Sequence, residues 1–318
     1  MSGVQMITVS EDDADQRIDR WLRRLFPHVS QGRIEKMCRK GELRLDGGRV
    51  KANSRVAAGQ VVRVPPLGAS DLKPAEAPSY RISEADAKMI RGCVIYKDDA
   101  VIVLNKPAGL AVQGGSGTTK HVDGLSAALQ FDAEEKPRLV HRLDKDTSGV
   151  LVLARTRLAA QSLTAAFRHR ATRKSYWAQV AGGPTPYLGE IKCGLVKAPG
   201  HGKSGEGEKM IAIHSNEVDS TPGAKRSHTH YATLYRVASR AAWVAMEPIT
   251  GRTHQLRAHM AEIGHPIVGD GKYGGSGQEN LGDGWGAQRG GIIAKKLQLH
   301  ARMMRFEHPH TRKSVTIT

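Results

Sequence analysis

The sequence predicts an α+β protein in two parts, a small module of two helices and a hairpin followed by a larger sheet-based domain. Three observations predict it. Two helix patterns and a hairpin signal fall within the first 64 residues. A stretch rich in Pro, Ala and Ser follows them. Beyond that stretch, short apolar runs alternate with helical stripes up to the C-terminal region.

Residues 17–26, RIDRWLRRLF, place Ile18, Trp21, Leu22, Leu25 and Phe26 at the i, i+3, i+4, i+7, i+8 spacing of an amphipathic helix. Pro27 ends it. Ser30 is the cap of a second helix, QGRIEKMCRK, with Ile34, Met37 and Cys38 on one face and Gly41 as its stop. Arg33, Lys36 and Lys40, three and four apart, share the opposite, solvent-facing side. LRLDGGRV reads as a hairpin turning at Asp46-Gly47, and QVVRVPP as a short closing strand. Residues 65–79, PPLGASDLKPAEAPS, read as a linker. The expected organisation is therefore a module at 1–64, a linker at 65–85 and a second domain at 86–318.

In the second domain, CVIYKDDAVIVLNKPAGL predicts two strands around a Lys97-Asp98-Asp99 turn. GGSGTTK (114–120) is a glycine-rich loop without the Gly-Lys-Ser/Thr ending of a Walker A loop, and reads as a flexible loop beside a site. Val150–Ala154 is apolar at every position, a core strand. LAAQSLTAAFRHR predicts a helix with Arg168, His169, Arg170, Arg173 and Lys174 crowding its exit. SYWAQVAG and AAWVAMEP predict strands, and THQLRAHMAEIG a helix ended by Gly264. Residues 195–229 are polar and glycine-rich and read as a mobile insertion or β-ribbon.

Lys and Arg number 48 against 31 Asp and Glu, a formal net charge of +17. Such an excess points to nucleic acid ahead of an anionic membrane or an acidic protein partner. No signal peptide is expected, because the first residues lack a basic stretch followed by an apolar one. No apolar run approaches the ~18 residues of a membrane span. Three scattered cysteines, Cys38, Cys93 and Cys193, make neither a disulfide framework nor a zinc motif and fit a reducing compartment. His254 and His259 are five apart, not the i, i+4 of a helical zinc pair, so no metal is expected. The G-x-S-x-G elbow of a hydrolase and the G-x-G-x-x-G of a dinucleotide fold are both missing.

One stretch resists a bland reading. HRLDKDTSGV (141–150) sets four charged side chains and a histidine at the mouth of the core strand. A carboxylate carried into the core there must be paired or hydrogen-bonded. A second dense basic and polar segment, GRTHQLRAH (251–259), starts where another strand ends. From the residues alone, Asp144 and Asp146 cannot be ranked.

The helix, helix, basic-hairpin order of residues 1–64 resembles the S-four RNA-binding domain, with Arg17–Leu22 opening it and Gly41–Leu45 starting its hairpin. HRLDKDTSGVLVLA, RKSYWAQV (173–180) and GRTHQLRAHMAEIGHPIVGDGKYG (251–274) resemble, in order, the signature segments of the RluA/RluC/RluD group of RNA pseudouridine synthases. LNKPAGLAVQGGSG (104–117) is most similar to the RluC branch. The resemblance implies a central bent, mostly antiparallel mixed sheet flanked by helices and loops. It implies isomerisation of specific uridines in large-subunit (23S-type) ribosomal RNA, with no cofactor, by a cytoplasmic monomer that does not engage a membrane.

The same resemblance selects Asp144 as the catalytic carboxylate. It implies Arg257 as its bidentate cationic partner, with Arg252 as the fallback. Tyr176 is implied as the active-site tyrosine, stacking on a flipped uracil or acting on its proton, and Leu256 as an apolar wall. Arg142 is implied to fill the gap left by the flipped base. His141 is expected to make a structural or phosphate contact, and His254, Arg33, Lys36 and Lys40 complete the expected RNA-binding set. Two alternatives stay open: a non-catalytic RNA-binding or ribosome-assembly factor, and a synthase acting on tRNA.

Overall fold

The computed structural model describes residues 3–67, 82–114, 118–198, 209–274 and 296–318. Most of the expected linker, part of the glycine-rich loop (115–117) and residues 199–208 of the 195–229 segment lie outside the described residues. The chain divides into two compact units, Met1–Arg81 and Ile82–Thr318.

The first unit contains β1 (Gln5–Thr8), α1 (Ile18–Leu25), α2 (Gln31–Lys40), β2 (Arg44–Leu45), β3 (Gly48–Arg49) and β4 (Val61–Val64). The strands form an antiparallel sheet in the order β1-β4-β2-β3. Strand β1 is an element that the sequence reading did not contain. Most of the apolar stripe of α1 is buried as expected, Ile18, Trp21 and Leu22 packing with Ile34, Met37 and Leu43, but Leu25 at the helix end is exposed. Oγ of Ser30 accepts from the Arg33 amide, so the cap of α2 forms, and the helix stops at Gly41 in the left-handed region. Asp46 and Gly47 both have positive φ, the backbone of a two-residue hairpin turn.

The second unit opens with α3 (Glu84–Gly92), a helix the hydropathy pattern did not bring out, capped by Ser83 Oγ on the Asp86 amide. It continues with β5 (Val94–Lys97), β6 (Val101–Lys106), α4 (Val122–Leu125), β7 (Arg138–Leu139), β8 (Ser148–Ala154), α5 (Arg157–Arg168), β9 (Arg173–Ala181), β10 (Leu188–Lys197), β11 (Met210–Ile213), β12 (Lys225–Val237), β13 (Ala241–Pro248), α6 (Gln255–Glu262), β14 (Leu299–Glu307) and β15 (Ser314–Ile317). In the described part of the 195–229 segment β11 pairs on β10, a short 3-10 turn spans Ser215–Glu217, and β12 begins at Lys225.

The main sheet runs β11-β10-β12-β13-β9-β14-β8-β6-β5, with β15 added to β14 and β7 to β8. It is mixed and mostly antiparallel, its parallel pairing being that of β14 with β8. Leu151, Leu153 and their neighbours in β8 are buried, as a strand covered on both faces must be. Helix α6 packs Leu256 and Met260 against Ala178, Val180, Val244 and Met246.

Strand β14, which the sequence reading also did not contain, is the seam of this sheet. Its residue Ala301 pairs with Gly149 on one side and with Tyr176 on the other. The approach is so close that a Cβ on Gly149 would lie 2.3 Å from the Ala301 carbonyl oxygen, and Gly149 has φ of +109°. Only glycine fits that backbone at that distance.

Gly149→Ala should therefore destabilise the protein by more than ~2 kcal/mol, since two paired backbones must part. Gly92→Ala, where nothing lies within 4 Å of the added carbon, is the matched control and should be neutral within ~0.5 kcal/mol. Equilibrium denaturant unfolding of the two variants checks this.

Candidate active site

The loop 141–147 joins β7 to β8, and it is fixed from behind by a buried cation. Lys106, at the end of β6, is fully buried. Its ammonium donates to the carbonyl oxygens of Pro107 (2.9 Å), Leu110 (2.8 Å) and Lys145 (3.0 Å). The Gly109 amide also donates to Lys145 O, at 2.9 Å. Burial lowers the Lys106 pKa to about 8, against the pull of Asp146 and Asp144. Inside the loop, the Thr147 amide donates to Asp144 O at 3.2 Å.

Asp144, half-buried, lines a cavity of about 840 Å³. The cavity also takes in His141, Arg142, Tyr176, Arg252, His254, Leu256 and Arg257, so eight of the expected site residues meet at one place. Arg168, Arg170, Arg173 and Lys174 add to its basic lining. Arg173 is itself held by Glu247 through two bonds of 2.7 and 2.9 Å. Asp146 is exposed and is not among the lining residues.

The expected bidentate pair between Arg257 and Asp144 is not formed. Nε and Nη2 of Arg257 both donate, at 2.7 Å, to the two carboxylate oxygens of Asp270. Both side chains are buried, and the Asp270 carboxylate also accepts from the Lys272 and Tyr273 amides. The fork of a guanidinium matches one carboxylate at a time, and Asp270 takes it. Burial acts to lower the Arg257 pKa, but the Asp270 bonds, with the charges of Asp270 and Asp144, hold it above its ordinary value. Asp144 thus lies in the field of Arg257 without being clamped by it. The fallback, Arg252, donates its Nε to the Arg226 carbonyl at 3.0 Å.

His141 is a structural ring. Its Nε2 accepts from the Val152 amide at 2.9 Å, and the ring stacks on Phe167 with centroids 4.4 Å apart. Burial, helped by the charge of Lys174, lowers its pKa to about 3, so it is neutral. His254 begins α6 in the left-handed region and pairs through Nδ1 with the Tyr273 hydroxyl at 3.0 Å. His259 is buried on Ser227 Oγ at 2.7 Å, its pKa lowered to about 4 by burial and by His228. For Tyr176, burial first and the Asp144 charge second push the phenol well above its usual range, so it stays protonated. On α2 of the first unit, Lys36 and Lys40 are exposed, whereas Arg33 is half-buried and bridged to Glu42 at 3.1 Å.

Sequence reasoning missed Lys106, Asp270 and Tyr273 as parts of this site. All three stand in the segments that carried the resemblance, LNKPAGL and GDGKYG. Nothing in composition or periodicity separates them from ordinary loop residues.

Residues 100–262 match the family model described as RNA pseudouridylate synthase, and residues 16–62 match that of the S4 domain. The chain belongs to the RNA pseudouridylate synthase family. It is similar to the ribosomal large subunit pseudouridine synthase C of Vibrio vulnificus, 38% identical over 320 residues, covering 99% of this chain and 92% of the relative. The proteins of that name from Yersinia pestis and Escherichia coli are 37% and 35% identical, covering 99% and 97% of this chain and 91% and 90% of theirs. Among solved structures, Human RNA Pseudouridylate Synthase Domain Containing 4 aligns with a TM-score of 0.54 at 27% identity, over 72% of this chain and 88% of that one. Human RNA Pseudouridylate Synthase Domain Containing 1 aligns with a TM-score of 0.53 at 25% identity, over 70% and 81%. The chain is a pseudouridine synthase, an isomerase, with an N-terminal S4 domain.

Two neutral buried imidazoles make the site acid-sensitive. His141 and His259 have depressed pKa values in the fold and ordinary ones, near 6.5, when unfolded. Between those limits the unfolded chain binds more protons, so their stabilisation is complete above about pH 6.5 and is lost as pH falls toward 4. Each contributes up to about 1.4 kcal/mol per pH unit. Denaturant unfolding of wild type and His141→Asn at pH 6.5 and 5 should show the variant losing about 2 kcal/mol less over that interval.

Proposed function

We propose that this chain isomerises specific uridines of large-subunit ribosomal RNA, with Asp144 as the catalytic carboxylate acting on a flipped-out nucleotide. The observation that carries the reading is the placement of Asp144. It sits on a cavity of nucleotide size, beside a neutral phenol and a guanidinium that is already held by another acid. The N1–C1′ bond breaks, the base turns, and C5 bonds to C1′; the C5 hydrogen leaves and N1 is protonated. The product is an isomer, so the balance needs no co-reactant.

An ionised carboxylate is required either to add to the sugar or base or to remove a proton. The Arg257 fork is spent on Asp270 rather than on Asp144, which leaves the Asp144 carboxylate open to substrate. Tyr176, kept protonated, serves as a wall and hydrogen-bond donor to the base, and Leu256, in the same apolar cluster, adds to that wall. Arg142, exposed on the same loop, fills the stack vacated by the nucleotide. The remaining arginines and lysines of the cavity, with His254 as a neutral contact, meet phosphates. His141 braces β8.

The ribosomal target is supported by the near-full-length relatives, whose printed names carry it. The module at 1–64 serves as an RNA anchor through the exposed side of α2, Lys36 foremost, with Arg33 and Lys40 tempered by Glu42. The enzyme acts as a cytoplasmic monomer without a cofactor.

Asp144→Asn should abolish pseudouridine formation, a loss of at least ~10³-fold, while unfolding and RNA affinity stay close to wild type. Asp146→Asn, exposed and off the cavity, should be much milder. A folded Asp144→Asn enzyme with appreciable turnover would sink the assignment. Site-resolved mapping of cellular RNA without the enzyme checks the target: positions lost from 23S-type RNA support it, and loss confined to tRNA overturns it. RNA affinity should fall with salt at a log–log slope of −0.7 to −0.9 per neutralised phosphate, with about five or more phosphates engaged. Filter binding from 50 to 200 mM salt measures it.

A further inference from the structure

Strand β12 turns its odd-numbered residues inward at its start. Ser227, Thr229 and Tyr231 are buried, and Ser227 and Thr229 bond to His259 and Gln255 at α6. Side chains alternate along a strand, so His228 and His230 lie together on the opposite, outer face. The neighbouring strand β10 sets Glu190 in register with His230 and Lys192 in register with His228.

On that face three donor atoms converge. Nε2 of His228 lies 3.0 Å, and Nε2 of His230 3.7 Å, from the same carboxylate oxygen, Oε2 of Glu190. All three donors fall within 4.8 Å of one another, and the imidazole centroids are 4.6 Å apart. Among the described residues this is the one group of three such donors. Hydrogen bonding accounts for His228 but not for His230, whose 3.7 Å is beyond hydrogen-bond reach.

We propose that Glu190, His228 and His230 form a binding site for a divalent transition-metal ion of the zinc class. Two imidazole nitrogens and one carboxylate oxygen are the donors of an open, three-ligand zinc site whose fourth position is left to water. Tetrahedral bonds of 2.0–2.1 Å place donors about 3.4 Å apart, and the two distances to Oε2 straddle that value. Lys192 sits on the other oxygen, Oε1, at 2.5 Å, so Oε2 stays available while the ammonium opposes a bound cation.

A bound ion would tie β10 to β12 at a residue that also supports the cavity from the other side. The His228 amide donates to Thr250 Oγ1 at 2.9 Å, and its carbonyl accepts from the Ile249 amide and Gln255 Nε2. Thr250 and Gln255 line the cavity. The role is therefore structural: a clip across the outer face of β10 and β12, the latter holding the loop after β13 through the His228 backbone.

The test uses the full-length, untagged protein, stripped with a chelator and titrated with Zn²⁺ alone by calorimetry, with thermal unfolding in parallel. One equivalent should bind, and Tm should rise with zinc concentration. Glu190 and His230 side chains are half exposed, 50% and 52%, so Glu190→Gln and His230→Ala keep the fold. Each should weaken binding at least tenfold, and a circular dichroism spectrum confirms folding. Should one variant not fold, the other decides alone. Lys192→Met should tighten binding severalfold. Absence of stoichiometric binding up to about 1 mM zinc, or full affinity retained in the folded variants, overturns the site. Unchanged affinity in Lys192→Met removes Glu190 from the donor set and overturns it as well.

Discussion

The cavity depends on how near β14 comes to Gly149. A sheet that is antiparallel nearly everywhere is closed by one parallel pairing, and that pairing exists because residue 149 has no side chain. Ala301 then touches Gly149 on one edge and Tyr176 on the other. The loop that ends in β8 and the tyrosine on β9 are thereby placed one strand apart, about 10 Å by ordinary sheet spacing. Residues 32 positions apart in sequence reach one cavity through a strand that comes more than a hundred residues later. Lys106 completes the placement from β6, since its ammonium ties Lys145, the residue after Asp144, to its own turn.

The electrostatics of the cavity follow from which acid takes the arginine. Tied in a bidentate pair to Arg257, Asp144 would have both its oxygens occupied. Asp270 takes the pair instead, and the two amides that also bond to Asp270 account for why it does so. The guanidinium is then fixed in position, with its Nε and Nη2 engaged by Asp270. Removing Asp270 would strand a buried guanidinium, a change that typically costs 3–5 kcal/mol. The ring of Tyr273 lies against the same guanidinium, 5.2 Å from its carbon to the centroid, and hands a hydroxyl to His254. This ion pair and Tyr273 thus connect Arg257 and His254, two of the residues that line the cavity.

Much of this was legible in the sequence, and the limits have physical causes. Periodicity, caps and apolar runs brought out α1, α2, α5, α6 and the strands β8, β9 and β13; β8 stood out because it is apolar and buried on both faces. β1 and β14 were not seen: QMIT is short, and LHARMMRFE mixes charge with apolar residues because half of it faces outward. The motif segments located Asp144, Tyr176 and Arg257 at one cavity. They could not say which carboxylate the arginine holds, because a bidentate pair is decided by loop geometry between positions 257 and 270. The Glu190, His228 and His230 group was invisible for a related reason. Its donors stand on two strands 38 residues apart, and strand register, not spacing, brings them together.

The buried charges of this unit are hard to explain as stabilising elements. An ion taken out of water costs several kcal/mol, and well-packed apolar residues of the same volume commonly stabilise a fold as much or more. Lys106 shows the cost in its lowered pKa, about 8 against an ordinary 10.5. What an apolar side chain could not do is hold three carbonyl oxygens of two different loops at 2.8–3.0 Å. Likewise, no apolar replacement for Asp270 could orient the Arg257 fork. Both groups sit directly behind the residues that face the cavity, Lys106 behind Asp144 and Asp270 behind Arg257. Both fix the positions of the groups in front of them, as the role proposed for Asp144 would require. The stability given up at these two points is the counterpart of that precision.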